Sequence, residues 1–507
     1  MNPERPFIQA TLRAGLALIC TALLALHQPI AIAQVKPAPP EQASPSTPAK
    51  EPNCTHCKER LQTIDALKTK LPAAWSLQIE RDAVFGSDML VVQAGQTNAQ
   101  AVLLVHGLGQ NGFTDWLPVM TQLARLFHVI AMDLPGFGYS GAPSGRYSPI
   151  NYARVLQGLL ARHAKKPVIV VGHSMGGAVS LRLASQQPSM VSKLILIDAA
   201  GILHRTTFVK HGASLPLSVS STPEPLRGPM ARATEIGHSM VERVFSWPDV
   251  TRILRESDLA WNLLLRNRAN VNAALALMDE DFSVAVHTLQ QPTQIIWGEA
   301  DTVAPLRTGH LLARRLPRAE LKTMPRVGHT PMEDAPEQLL ALLSNALASD
   351  PAPRAPPPAA GALEPTNLRC DDLVDQVYSG VYREVVINRC RAVRLVNLTA
   401  DRIIIRDSIV QMNNVQASST DLALDVLHSE VIATASDFSG EVAIRADAAR
   451  IDLAGVHLLA IGNAIAVNRA SRFVASISRI QSPEYTGYWH DQVEIKESRL
   501  LPAPRRD

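Results

Sequence analysis

A serine placed between two glycines is the residue best suited to do chemistry in this chain. Ser174 lies in the run Gly172-His173-Ser174-Met175-Gly176-Gly177, which matches the pattern G-x-S-x-G. An apolar segment precedes the run and a helical pattern follows it, so the serine is predicted on a sharp strand-to-helix turn. Glycine at the flanking positions removes side chains that would clash in such a turn. The pattern therefore predicts a nucleophilic serine.

A serine hydroxyl is a weak nucleophile, so it needs a base that is held in place by an acid. Asp301 and His329 each follow a predicted strand. The chain order Ser, Asp, His is the order found in proteins whose nucleophile lies on this kind of turn. We predict that Ser174 attacks, that His329 takes and returns the proton, and that Asp301 orients His329. Asp198, which ends another predicted strand, is an alternative acid.

The reaction also needs two backbone N–H donors for the negative oxygen that develops during attack. Met175, directly after the nucleophile, is predicted to supply one donor. Leu108, in the segment 106–109, is predicted to supply the other. His106 is expected to fix this loop by hydrogen bonding, and His173 is expected to pack away from the site.

The elements that position these residues follow from the pattern of residues 75–349. Short, β-branched apolar segments alternate there with helical stretches such as Tyr152–His163, which predicts an α/β domain with a buried parallel sheet. The predicted strands are Ala101–Val105, Val129–Asp133, Val168–Val171, Leu194–Ile197, Thr293–Trp297 and Leu321–Met324.

Taken together, the motifs resemble the α/β-hydrolase superfamily, and in particular its capped serine esterases, lipases and C–C hydrolases. The matching pieces are HGLG at 106–109, DLPGFGYS at 133–140, GHSMGG at 172–177, WGEAD at 297–301 and VGH at 327–329. The resemblance implies the α/β-hydrolase fold for residues 75–349 and a Ser-Asp-His triad, and it implies no particular substrate.

The resemblance also implies a mainly helical cap over the site, at about residues 202–290. This segment carries large apolar side chains, which predict either an apolar wall for the substrate or the packing of the cap itself. They are Trp247, Trp261, Leu263, Leu264 and Phe282.

Residues 366–507 have a different pattern, in which apolar residues recur every 20 to 22 positions. This spacing predicts an all-β solenoid, most like a right-handed parallel β-helix, with a β-sandwich as the alternative. One column is Ile404, Leu424, Ile444 and Ile465, and a second is Val410, Val431, Ile451 and Phe473.

The C-terminal region carries no catalytic set in its sequence, and a binding role is the default hypothesis. Several carboxylates predict either a face that binds or cleaves carbohydrate, or ordinary solvated turns. They are Asp401, Asp407, Asp421, Asp425 and Asp447. The aromatic residues Tyr485, Tyr488 and Trp489 are expected to cap the solenoid or to offer a stacking surface.

The N-terminal residues 1–33 read as a signal peptide, with basic residues, an apolar run and the motif Ala31-Ile32-Ala33 before a predicted cut at Gln34. The protein is therefore expected to be exported, either to the periplasm or out of the cell, with an uncleaved anchor as the alternative for this segment. No second long apolar run follows, so no integral membrane span is expected after cleavage.

Proline-rich segments at 34–53 and 350–365 are predicted linkers, and residues 54–74 hold a C-x-x-C motif and a short helix. The second linker predicts a stiff tether between a self-sufficient catalytic domain and the C-terminal region. The four cysteines outside the signal peptide predict two disulfides, Cys54–Cys57 and Cys370–Cys390.

Composition excludes several classes of protein. The chain has 507 residues, 46% of them apolar, so it is not wholly disordered, and its net charge of +3 argues against a nucleic-acid binder. No metal or cofactor motif is present in the sequence. The leading hypothesis is an exported serine hydrolase that cleaves esters of small apolar substrates through an acyl-enzyme. Alternatives are C–C bond hydrolysis with the same triad, and glycan or cell-envelope binding by the C-terminal region.

Overall fold

We describe a computed structural model of the chain, which covers residues 64–142, 145–207, 257–261, 265, 268–352 and 366–496. The predicted signal peptide, the first linker, the C-x-x-C motif and cap residues 208–256 lie outside these ranges, as do most residues of the second linker. None of the helices within the described ranges is both long and apolar enough to cross a membrane.

The first part of the chain forms an eight-stranded sheet in the order β1-β2-β4-β3-β5-β6-β7-β8. Its strands are β1 (Ser76–Arg81), β2 (Asp88–Ala94), β3 (Ala101–Val105), β4 (His128–Met132), β5 (Val168–His173), β6 (Val191–Ile197), β7 (Thr293–Gly298) and β8 (Ala319–Met324). Strand β2 pairs antiparallel with β1 and β4, whereas the pairs from β4 to β8 are parallel.

Helices cover both faces of this sheet, because alternate side chains of a strand point to opposite sides. In β3, Val102 and Leu104 join one hydrophobic cluster, and Leu103 and Val105 join the other. The helices are α1 (Leu117–Leu123), α2 (Pro149–His163), α3 (Met175–Gln186), α4 (Ala269–Met278), α5 (Ser283–Thr288), α6 (Arg307–Arg315), α7 (Pro331–Asp334) and α8 (Pro336–Ala348). The α/β-hydrolase fold predicted for this region is confirmed.

All six predicted strands are present, with ends that differ by a few residues. The two strands that were not predicted, β1 and β2, lie at the antiparallel edge of the sheet. Three of the six residues of β1 are partly buried and the other three are exposed. This strand therefore lacks the continuous apolar run that marked the predicted strands.

The C-terminal region is all-β, as predicted, and the fourteen strands within residues 366–496 form one sheet. They are β9 (Thr366–Asp371), β10 (Val377–Asn388), β11 (Val393–Arg406), β12 (Ile409–Asn413), β13 (Gln416–Ser418), β14 (Leu422–Leu427), β15 (Glu430–Thr434), β16 (Asp437–Gly440), β17 (Val442–Asp447), β18 (Arg450–Ala454), β19 (His457–Ala460), β20 (Ile465–Arg469), β21 (Ser471–Gln481) and β22 (Thr486–Ile495). Because β11 pairs with both β12 and β13, the strand path closes on itself.

Apart from β22, which pairs antiparallel with β21, pairing in this sheet is parallel and joins strands about 20 residues apart. This pattern agrees with stacked repeats and not with a β-sandwich. The result resembles a closed, barrel-like parallel sheet more than the separate faces of a β-helix, and the handedness stays a prediction. The column Val410, Val431, Ile451 and Phe473 is confirmed as a set of direct partners.

The other predicted column is wrong by one residue at its start. Leu424 is paired with Ile403, and the neighbouring Ile404 faces Asp425. Side chains alternate along a strand, so Ile403 and Ile405 both point into the core and Ile404 points out of it. Three consecutive isoleucines hid this alternation in the sequence.

Polar side chains at the ends of the coils form ion pairs between successive repeats. Asp425 contacts Arg445, and Asp447 contacts Arg469. The predicted disulfide Cys370–Cys390 is present and joins the first two coils. Trp489 is buried, with its ring 5.8 Å from that of Phe473, so it packs on the core of the solenoid as a capping residue does.

The two regions pack directly against each other through three arginines of α6. Arg307 donates to both carboxylate oxygens of Asp452 at 3.1 Å. Asp437 accepts from Arg314 at 2.8 Å and from Arg315 at 2.7 Å. The Arg315 side chain is only 5% exposed, so this contact lies inside the interface.

Apolar and histidine contacts complete this interface. Ala454 and Ile477, from β18 and β21, belong to the same hydrophobic cluster as the first region. The Nε2 atoms of His287 and His457 lie 3.2 Å apart across the boundary. Direct docking therefore holds the two regions together, and such docking leaves no periodic signal in a sequence. The role of the second linker as a stiff tether stays a prediction.

We expect the melting temperature to fall when the pH is lowered from about 7.5 to about 5, because the interface holds His457 neutral. Burial and the Arg315 guanidinium lower the pKa of His457 to about 3, although Asp437 acts in the opposite sense, and His287 and Arg479 lower it further. The unfolded chain, with the ordinary histidine pKa, binds more protons than the folded chain between about 6.5 and about 3. Stability is therefore complete above this window and declines through it.

Thermal unfolding of the wild type and of His457→Gln across this pH range measures the effect. The variant lacks the titrating group and should show the shallower decline. Equal declines in the two proteins would contradict the prediction.

Candidate active site

Ser174 occupies the sharp turn between β5 and α3, as predicted. Its backbone has φ 52° and ψ −122°, a conformation that non-glycine residues rarely adopt and that surrounding structure must enforce. A Cβ atom on Gly172 would lie 2.4 Å from the Gly176 carbonyl oxygen, and one on Gly176 would lie 2.3 Å from that of Val105. Both glycines are therefore needed for the turn to sit against β3.

Ser174, His329 and Asp301 form a continuous hydrogen-bonded chain. The Ser174 hydroxyl lies 2.9 Å from His329 Nε2, and His329 Nδ1 lies 2.7 Å from Asp301 Oδ2. The Asp301 side chain is fully buried and Ser174 is 4% exposed. With the imidazole neutral, Nδ1–H donates to the carboxylate and Nε2 can accept the serine proton. This geometry suits general-base activation of a hydroxyl.

The loop after β7 holds Asp301 in its orientation. Asp301 Oδ1 accepts hydrogen bonds from the backbone N–H groups of Val303 at 2.7 Å and Ala304 at 2.9 Å. The Trp297 indole donates to the Ala304 carbonyl oxygen at 3.1 Å and so ties the loop to the end of the strand. One carboxylate oxygen is thus fixed by the loop, which leaves the other for His329.

The segment that contains Leu108 passes close above the serine. A Cβ atom on Gly107 would lie 2.9 Å from Ser174 Cβ, so only glycine allows this approach. Within the described ranges, neither the Leu108 nor the Met175 backbone N–H has a hydrogen-bond acceptor. Both predicted donors therefore lie on segments that border Ser174 and can bind a ligand oxygen.

His106 braces this segment, as predicted. Its Nδ1 donates to the Gly107 carbonyl oxygen at 2.8 Å, and its Nε2 accepts from the Leu134 N–H at 2.9 Å. Burial lowers the pKa of His106 to about 4, so the neutral ring that this bonding pattern requires is the stable form near pH 7.

His173 has a role that the sequence analysis missed. We expected simple packing, but its Nε2 donates to the backbone carbonyl oxygen of His329 at 2.7 Å. The two rings lie 5.1 Å apart. His173 is therefore a positioning residue for the proposed base. Its place beside the nucleophile was visible in the sequence, whereas its bond to a loop 156 residues away was not.

Asp198, the alternative acid, lies next to Asp301 but does not hydrogen-bond His329. The carboxylate that contacts His329 is that of Asp301. Asp198 is fully buried at the end of β6, and its Oδ1 accepts from the Gly298 N–H at 2.8 Å. Burial and the neighbouring Asp301 charge raise the pKa of Asp198 well above its usual range. A neutral Asp198 would spare Asp301, the carboxylate that holds the base, the repulsion of a second buried charge.

We expect Asp198→Ala to lower kcat for the reaction at this site about tenfold to a hundredfold, because it removes the buried carboxyl group beside Asp301 and the acceptor for the Gly298 N–H. Asp198→Asn can still donate and accept, and should retain most of the activity. The readouts are kcat as a function of pH and the melting temperature for both variants. Equal activity of the alanine and asparagine variants would contradict this role.

The cap residues proposed as an apolar wall are only partly described. Phe282 is fully buried in the core. The Arg182 guanidinium carbon lies over its ring, 4.7 Å from the ring centroid. Trp261 is half-buried beside Arg146, whereas Trp247, Leu263 and Leu264 lie outside the described ranges. For Phe282, packing is therefore the observed role.

Known proteins resemble about half of this chain. The sequence profile of the Alpha/beta hydrolase family matches residues 102–342. An uncharacterised protein of Mycobacterium tuberculosis is 34% identical over 253 residues, 47% of this chain and 73% of that protein. Lipase 1 of Psychrobacter immobilis is 26% identical over 255 residues, 49% of this chain and 77% of that protein. The solved structure of a thermophilic esterase from Thermogutta terrifontis is 21% identical, with 54% and 98% of the two chains covered and a TM-score of 0.39.

Proposed function

Since this chain belongs to the α/β hydrolase family, we propose that it is a serine hydrolase that cleaves carboxylic esters of apolar substrates through an acyl-enzyme. The observation that carries the proposal is the chain of hydrogen bonds from Ser174 through His329 to Asp301. The relative named Lipase 1 supports an ester as the bond that is cleaved.

The first half of the proposed reaction forms the acyl-enzyme. His329 Nε2 takes the Ser174 proton as the hydroxyl oxygen attacks the ester carbonyl carbon. The carbonyl oxygen becomes negative and accepts hydrogen bonds from the Leu108 and Met175 N–H groups. The bond to the alkoxy group then breaks, and His329 gives that group the proton, so that an alcohol leaves and Ser174 carries the acyl group.

The second half restores the enzyme. A water molecule gives a proton to His329 and attacks the acyl carbon, and the same two N–H groups hold the negative oxygen. The bond to Ser174 then breaks, its oxygen regains the proton from His329, and a carboxylic acid leaves. Asp301 keeps its negative charge throughout and stabilises the imidazolium that forms twice.

A panel of p-nitrophenyl esters of increasing acyl length tests this proposal on the full-length protein. We expect turnover of at least the short esters. A panel member with a diketone in place of the ester tests C–C bond hydrolysis, because the same three residues could serve that reaction. Turnover of the diketone without turnover of any ester would refute the esterase proposal.

We also propose that the protein is exported. The disulfide between Cys370 and Cys390 supports this, because such bonds persist mainly in oxidising compartments. Sequencing the amino terminus of the protein purified from a bacterial periplasm or medium should give Gln34 as the first residue. An intact leader on a cytosolic protein would contradict the proposal.

A further inference from the structure

Two segments of the first region contact residues of the proposed active site at one end and the solenoid at the other. The first segment follows β6, and its Ala200 N–H donates to the Ser174 carbonyl oxygen at 3.2 Å. Four residues further on, the His204 N–H donates to the Ser476 hydroxyl oxygen of β21 at 2.9 Å. Residues 199–204 are all buried. A short buried segment therefore links the backbone of the proposed nucleophile to the solenoid.

The second segment follows β7 and makes the same kind of link for Asp301. The Ala304 N–H donates to Asp301 Oδ1 at 2.9 Å and so helps to orient the carboxylate. Three residues later Arg307 begins α6, and its guanidinium donates to Thr434 Oγ1 at 3.0 Å and to Asp452. The loop that orients Asp301 is therefore fixed to the solenoid within a few residues.

Both segments meet at one solenoid carboxylate, that of Asp452. Its Oδ2 accepts from the Thr207 hydroxyl and from Arg307 Nη1, each at 3.1 Å, and its Oδ1 accepts from Arg307 Nη2 at 3.1 Å. The neighbouring Ile451 and Leu453 belong to the solenoid core, so Asp452 points out of the solenoid toward the first region. A guanidinium and a carboxylate joined by two hydrogen bonds have a fixed relative orientation. This carboxylate therefore holds the two segments in a defined relation.

Asp437 is a second solenoid carboxylate that binds α6, but its bonds constrain less of the proposed active site. It contacts Arg314 and Arg315, at the end of the helix that is distant in sequence from Asp301. Within the described ranges, Asp437 has no hydrogen bond to the segment after β6. Asp437 thus serves to dock the solenoid, whereas Asp452 also joins two segments that contact active-site residues.

We propose that Asp452 is a positioning residue for the proposed reaction, because it joins Thr207 to Arg307 and so fixes the segments that hold Ser174 and Asp301. The inference rests on the proposed function, in which the attacking hydroxyl and its base must lie within hydrogen-bond reach. Misplacing reacting groups by about 1 Å costs about 100-fold in rate. The solenoid then helps to set the rate of the reaction, and residues 75–349 are not a self-sufficient catalytic unit.

The first test compares Asp452→Ala with Asp437→Ala in the full-length chain. In Asp452→Ala we expect kcat for p-nitrophenyl butyrate to fall about tenfold while KM changes less than about twofold, because the geometry of attack is lost and not the binding of the ester. Asp437→Ala is the matched control, which should lower the melting temperature and keep kcat within about twofold of the wild type. A merely structural role of Asp452 predicts the same kcat for both variants, and equal values would overturn the proposal.

A second pair of variants tests the link through Thr207 and leaves the ion pair of Arg307 with Asp452 in place. Thr207→Val has nearly the shape of threonine but lacks the hydroxyl donor, so kcat should fall about threefold to tenfold. Thr207→Ser keeps the donor and should stay within about twofold of the wild type. Equal kcat values for the valine and serine variants would overturn the role of this bond.

The rate of labelling by a fluorophosphonate separates this proposal from the proposed function. The reagent requires an activated serine, so the second-order rate constant for labelling of Asp452→Ala should fall in parallel with its kcat. An unchanged labelling rate in this variant would overturn the positioning role and leave the proposed function in place. A wild-type protein that neither cleaves any ester nor becomes labelled at Ser174 would instead overturn the proposed function.

Discussion

Replacing Ser174 with alanine should lower kcat for ester hydrolysis by about 10⁴-fold to 10⁶-fold. The Ser174 hydroxyl oxygen lies 2.9 Å from His329 Nε2. The turn that carries Ser174 depends on Gly172 and Gly176 and not on this hydroxyl group. The variant should therefore fold normally and lose only the attacking atom. The measurement is steady-state hydrolysis of p-nitrophenyl butyrate together with thermal unfolding.

Ser185→Ala is a matched control for this experiment. Ser185 lies near the end of α3 and its hydroxyl donates to the Arg182 carbonyl oxygen at 3.0 Å, within the same helix. This variant should keep kcat within about twofold of the wild type, since one neutral hydrogen bond contributes little. A Ser174→Ala protein that retained a tenth or more of the wild-type rate would contradict the role of Ser174.

The second large effect is expected from Arg315→Ala, which should lower the free energy of unfolding by about 2–4 kcal/mol. Arg315 donates to the carbonyl oxygens of Ser436 at 2.8 Å and Gly455 at 2.7 Å, and to Asp437 at 2.7 Å. Removing the guanidinium leaves two interface carbonyl groups without this donor. Asp437 remains one third exposed and keeps Arg314, so the lower half of the range is the expected outcome.

Urea unfolding and limited proteolysis of the linker and interface measure this effect. The neighbouring Arg314→Ala is the control, because that side chain is more exposed and bonds only Asp437 in the described structure. This variant should lower the free energy of unfolding by less than Arg315→Ala does. If the two substitutions had equal and small effects, the docking of the solenoid would not depend on this arginine.

Much of the site could be predicted because its signals are local. Gly172, Ser174 and Gly176 lie within five residues of one another, as a tight turn requires. Asp301 follows the buried strand β7, and His329 follows β8, the partly buried edge strand of the same parallel sheet. The carboxyl ends of such strands share one edge, so the order of strands is enough to bring these side chains together.

Contacts between distant elements could not be predicted in the same way. The bond from His173 to the His329 carbonyl oxygen and the position of Asp198 beside Asp301 both depend on side-chain directions at the ends of strands. Nothing in the spacing of these residues distinguishes such contacts from simple packing, so His173 was assigned to packing and Asp198 remained an alternative acid.

The solenoid shows the same limit on a larger scale. Its repeat of about 20 residues is a local property and was visible, including the column that starts at Val410. Its docking on α6 depends on Asp437 and Asp452, which look like any other polar residues of a coil.

The central claim is that Ser174 is the nucleophile of an ester hydrolase, and covalent labelling tests it most directly. The full-length protein is incubated with a fluorophosphonate, digested, and analysed by mass spectrometry for the modified residue. We expect a single phosphonylated peptide modified at Ser174, with labelling and ester hydrolysis lost in parallel. Hydrolysis that continues while Ser174 remains unlabelled, or a label on another residue, would contradict the claim.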